Sequence, residues 1–108
     1  MTSLSIVGFV GLSTALLAIS TFGILTRRNF ILLLISIEIG MNAAILDFLY
    51  FAAFPTGSHY FDGLQGQSIA IVLIGLAATE VAVGLAIVLA LNRLKGSINV
   101  AEASSLRE

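Results

Sequence analysis

Two carboxylic side chains lie deep inside stretches that otherwise suit only a lipid bilayer: Glu38 within residues 30–54 and Glu80 within residues 69–91. An ionisable group at the centre of a membrane helix costs roughly 2.5 kcal/mol or more, so it is retained where it faces a bundle interior, an aqueous path or a partner. No lysine, arginine or histidine occurs within the apolar stretches, so neither glutamate can find a cation in its own span. Burial without a counter-charge disfavours the charged form of a carboxyl, which suits a group that must both take up and release a proton. Asn42 follows Glu38 by one helical turn, on the same face, and is placed to hold that carboxyl or a water. Asp47 follows Glu38 by nine residues, about 900° of rotation, and so points to the opposite face. A subunit contact or an outer aqueous group describes Asp47 better than membership in the Glu38 path.

The remaining chemistry is sparse. Cysteine is absent, which excludes disulfides, thiolate-held zinc and cysteine-ligated iron–sulfur clusters. His59 has only Asp62 as a polar neighbour and reads as a surface histidine, so no metal site is expected. No nucleophile motif or glycine-rich phosphate loop occurs, and neither a catalytic residue nor nucleic-acid binding is expected.

The elements that must carry these residues follow from composition. The chain has 108 residues, 58% hydrophobic and only 10% charged, far from a soluble domain of this length. Crossing the ~30 Å hydrocarbon layer takes about 20 helical residues. Three stretches are long enough, at about 4–25, 30–54 and 69–91, giving an all-α integral membrane fold of three transmembrane helices in a single membrane domain over 1–108. Met1 to Ser5 lacks the basic region of a signal peptide, so the first helix is expected to stay as an anchor. The tail, 96–108, is expected to lie on a neighbouring subunit or fray.

Orientation comes from charge placement. All five basic residues, Arg27, Arg28, Arg93, Lys95 and Arg107, fall between the first two helices or after the third. The positive-inside rule then puts the amino terminus outside and the carboxyl terminus in the cytoplasm. Glu38 lies ten residues from Arg28 and Glu80 thirteen from Arg93, about 15 and 20 Å from the inner face. If their antiparallel helices are neighbours, the carboxylates stand on the order of 10 Å apart, a gap for a few waters. Phe48, Tyr50, Phe51, Phe54, Tyr60 and Phe61 form an aromatic belt near the outer end of the second helix. Small residues, Gly8, Gly11, Ala15 and Ala18 in the first helix and the ladder Ala78, Ala82, Ala86 and Ala90 in the third, predict close helix packing.

Arg27-Arg28-Asn29, Ile37-Glu38 followed by Asn42-Ala43, Gly66-Gln67, and the run from Ala77 to Ile87 around Glu80 together resemble subunit K (the 4L subunit) of proton-pumping NADH:quinone oxidoreductase, complex I. The resemblance covers almost the whole chain. Thr79 replaces a usual alanine, and Asp47 lies outside the family pattern. The resemblance implies a non-redox subunit of the membrane arm of an energy-transducing membrane, such as the bacterial plasma membrane. Its partners would be quinone-proximal and antiporter-like subunits and the lipid bilayer. Glu38 and Glu80 would take part in proton translocation coupled to quinone reduction. Flavin, iron–sulfur clusters and quinone would belong to other subunits, with no cofactor in this chain. Alternative readings are a passive packing scaffold, or a subunit of a related hydrogenase or multisubunit sodium/proton antiporter.

Overall fold

The computed structural model describes residues 3–54, 63–96 and 98–103. Three long helices, α1 (Ser3–Thr26), α2 (Phe30–Ala53) and α3 (Gly63–Lys95), are followed by one short turn of helix, α4 (Val100–Ala103). All three long helices are apolar enough to cross a membrane. The fold is the all-α, three-span membrane architecture that composition predicts. The connection between α2 and α3, with His59, Tyr60, Phe61 and Asp62, lies outside the described residues.

Each boundary has a local cause. α1 ends where the polar Arg27-Arg28-Asn29 begins; Asn29 then caps α2, its Oδ1 accepting from the Ile31 N–H at 2.9 Å. α2 stops at Phe54, held at φ −132° in front of Pro55, a position where proline disfavours helix. α3 ends at Gly96, whose φ of 67° is left-handed and whose N–H donates to the Asn92 carbonyl at 2.7 Å.

The helices form a row with α2 in the middle: α1 packs on α2 and α2 on α3. Small residues set the register on both sides. On the α1 side Gly23 meets Ser36 and Gly40 meets Ser20; a Cβ at Gly40 would stand 2.5 Å from Ser20 Oγ. On the α3 side Gly66 seats against Ala52, and a Cβ at Gly84 would stand 2.6 Å from Leu34 Cδ1. Side chains this small let backbones approach where lipid supplies no drive to associate.

Three expectations are revised in detail. α3 begins at Gly63 rather than near residue 69, because Gly66 allows its first turns to lie against Ala52 and bury Ala70. The small-residue stripes are not the ones in contact. Ala15 and Ala18 are exposed, Gly8 and Gly11 have open space around them, and α1 instead buries Ser13, Ser20 and Gly23. The ladder Ala78, Ala82, Ala86 and Ala90 is exposed on the face of α3 away from α2. Finally, residues 98–103 of the tail return to their own chain, while 104–108 lie outside the described residues. Phe30 N–H donates to the Ile98 carbonyl at 3.0 Å and Val100 N–H to the Arg28 carbonyl at 2.7 Å, an antiparallel bridge between Asn29 and Asn99. Asn99 caps α4 through Ala101 N–H at 3.0 Å, as Asn29 caps α2. The left-handed turn at Gly96 makes this return possible.

Candidate proton site in the α2–α3 layer

The register that seats Leu34 on Gly84 and Ala52 on Gly66 places Glu38 level with Glu80. Glu38 lies eight residues into α2, about 12 Å along its axis, and Glu80 near the midpoint of the 33-residue α3. Residue counting puts the two at similar depths, about 15 and 20 Å; the packed register brings them level.

The two carboxyls nevertheless occupy different hollows. Glu38 is half-buried in a groove of about 250 Å³, where α2 contributes Leu34, Ile35 and Ile39 and α3 contributes Val81 and Leu85. Glu80 is exposed and lines a second hollow, about 360 Å³, with Thr79, Val83, Gly84 and Ile87. Helical rotation explains the split. Measured from Gly84, which faces α2, Val81 and Leu85 lie about 60° and 100° to one side, and Glu80 and Ile87 about 40° and 60° to the other. The glutamates thus open on opposite sides of the seam between α2 and α3.

What divides the hollows is one contact. Leu34 lines the Glu38 groove, Gly84 lines the Glu80 hollow, and the two meet in the seam. Because Gly84 has no side chain, the partition there rests on the Leu34 side chain. The Thr79 hydroxyl donates to the Leu76 carbonyl at 2.6 Å, so it stands beside Glu80 without being left unbonded. Asn42 is exposed one turn from Glu38.

Asp47 is brought to neither glutamate. It lies two turns beyond Gly40 on the α1 side of α2, opposite Glu38, as the nine-residue spacing predicts. Sequence reasoning passed over Leu34 as the dividing side chain and over Ser13, Ser20 and Ser36 as buried contacts. Ser13 and Ser20 recur seven residues apart in α1, but so do Thr14 and Thr21, which are exposed, so spacing alone does not mark the buried pair.

With this geometry in place, comparison with known proteins is decisive. Residues 8–108 match the family model described as NADH-ubiquinone/plastoquinone oxidoreductase chain 4L. The chain belongs to this family. It is 43% identical to NADH-quinone oxidoreductase subunit K of Anaeromyxobacter sp. (strain K), over 93% of this chain and 95% of the relative. Subunit K 1 of Syntrophobacter fumaroxidans is 40% identical, covering 92% and 93%. Subunit K of Bacillus anthracis is 36% identical across 99% of both chains. The 4L-family chain is a multi-pass integral membrane protein, with three spans of the required length and apolarity.

Proposed function

We propose that this chain is a membrane-arm subunit of a donor:quinone oxidoreductase complex and takes part in proton translocation through Glu38 and Glu80. Its neighbours are the quinone-proximal and antiporter-like subunits, with the amino terminus outside and the carboxyl terminus in the cytoplasm. The reading is supported by family membership and by subunit K relatives in NADH-quinone oxidoreductases. The observation that carries it is the pair of level carboxyls deep in adjacent spans, with no lysine, arginine or histidine in α1 or α2 and none in α3 before Arg93 in its last turn.

Opening on opposite sides of one seam, the two glutamates suit a subunit that passes protons across itself. One carboxyl serves each neighbour, and the Leu34–Gly84 contact separates them. Asn42 is the polar group nearest in sequence to Glu38 on the same side and supports a water there. The chain has no cysteine to hold an iron–sulfur cluster, so electron carriers are assigned to other subunits.

The test is neutral replacement in the assembled complex. Glu38→Gln and Glu80→Gln keep the size and hydrogen-bonding capacity of the side chain but cannot carry a proton. Both should assemble, and the proton-to-electron ratio in proteoliposomes should fall, more for Glu38→Gln than for Glu80→Gln. Normal ratios in both variants would leave the chain as a packing scaffold.

A further inference from the structure

Among the described residues, two buried side-chain atoms have no hydrogen-bond partner: Asp47 Oδ1 and Tyr50 Oη. They belong to residues three apart, neighbours on one helix surface. Both lie on the α1 side of α2. Tyr50 is only 5% exposed, and its ring stacks on Phe9 of α1 with centroids 4.4 Å apart. The register set by Phe9–Tyr50, Ser20–Gly40 and Gly23–Ser36 puts Ser13, itself 3% exposed, level with Asp47. Its hydroxyl donates to the Val10 carbonyl at 3.1 Å, which leaves the oxygen able to accept. Among the described residues no other titratable group faces this place: α1 carries none, and Glu38 projects on the far side of α2.

Within a bilayer no bulk water can satisfy such atoms, so polar groups there are expensive and belong to functional paths. We infer that Asp47 and Tyr50 together hold a water molecule in the seam between α1 and α2, forming a second proton-handling site across α2 from Glu38. Side chains three residues apart on a helix have Cβ atoms about 5–6 Å apart, a span one water bridges. The phenol both donates and accepts, the carboxyl accepts, and a water between them matches both. Ser13 extends the same polar level onto α1. The site goes beyond the roles given to Glu38 and Glu80 and shares no residue with them.

X-ray hydroxyl-radical footprinting of the assembled complex in lipid bilayers reads the water directly, because radicals formed on a bound water oxidise the adjacent ring. Tyr50 should be oxidised at a rate out of keeping with its burial. Asp47→Leu should lower that rate about five- to tenfold, the occupancy change expected for one lost hydrogen bond. Asp47→Asn keeps a hydrogen-bonding side chain and should retain most of the oxidation while lowering the proton-to-electron ratio, less than Glu38→Gln does; Asp47→Glu should restore the ratio. Slow oxidation of Tyr50 in the unaltered complex, or the same rate in Asp47→Leu, would overturn the bound water. A normal ratio in Asp47→Asn would overturn the proton role. The footprint does not depend on the Glu38 and Glu80 reading, so the two inferences fail separately.

Discussion

Moving the Glu38 carboxyl by one turn distinguishes a proton site that faces a defined hollow from a polar group needed only somewhere in α2. Pairing Glu38→Ala with either Leu34→Glu or Asn42→Glu shifts the carboxyl by about 6 Å along the axis and rotates it by only ~40°. That shift equals about two hydrogen-bond steps of ~2.8 Å, within reach of added water. The packed helices make the two directions unequal. Asn42 is exposed, so a glutamate there has room on the surface of α2. Leu34 is the wall against Gly84. Its replacement removes that packing and places a carboxyl inside the seam, a loss of about 2 kcal/mol or more. Gly40→Glu is a third arm. It rotates the carboxyl by about 200° toward α1. Its Cβ would stand 2.5 Å from Ser20 Oγ, and overpacking of this kind costs about 1–3 kcal/mol. Proton-to-electron ratios in proteoliposomes, compared at equal assembled complex, should therefore rank Asn42→Glu above Leu34→Glu, with almost no pumping from Gly40→Glu. Equal ratios in all three would refute the argument that facing matters. Better pumping from Leu34→Glu than from Asn42→Glu would refute the assignment of the hollow.

Gly66→Ala drives a methyl into Ala52 with no flexible side chain to yield, and should destabilise the chain by about 1–3 kcal/mol in detergent unfolding. Gly75→Ala meets nothing within 4 Å and should not lower that stability, raising it by up to about 1 kcal/mol because alanine is the better helix former. Because the chain has no cysteine, single cysteines can report sidedness. At the exposed positions Leu64 and Leu94, an impermeant thiol reagent should label Leu64→Cys from outside and Leu94→Cys only from inside; the reverse would invert the orientation. Val100→Pro deletes the N–H that donates to the Arg28 carbonyl at 2.7 Å. It should loosen the returning segment by about 1 kcal/mol, read as faster amide exchange at Phe30, whose N–H is held by Ile98.

Much was legible in the sequence because membrane insertion is a severe filter. The number of spans follows from apolar length alone, since only helices satisfy every backbone group in lipid without a partner strand. Glu38 and Glu80 stood out because a carboxyl in such a span is costly wherever it points. The nine-residue spacing put Asp47 opposite Glu38 through helix geometry, with no tertiary information needed. The similar depth of the two glutamates could be counted from the flanking arginines, to within about 5 Å.

Facing and contact were another matter. Gly8, Gly11 and the alanine ladder of α3 look as fit for packing as Gly23, Gly40, Gly66 and Gly84, because smallness permits close approach without choosing a partner. Only the docked helices decide which stripe is used, and they choose by shape: Ser36 on Gly23, Ser20 on Gly40, Ala52 on Gly66 and Leu34 on Gly84. The same choice sends the glutamates to opposite sides of a seam, since a rotation of 100° between Glu80 and Val81 decides which hollow a residue enters. The return of residues 98–103 onto the α1–α2 turn rests on backbone hydrogen bonds, whose donors and acceptors are common to nearly every residue and leave no mark on the sequence. Sequence determined which groups must be hidden from lipid, because transfer energy belongs to each residue alone; tertiary structure decided from what, because complementarity belongs to pairs.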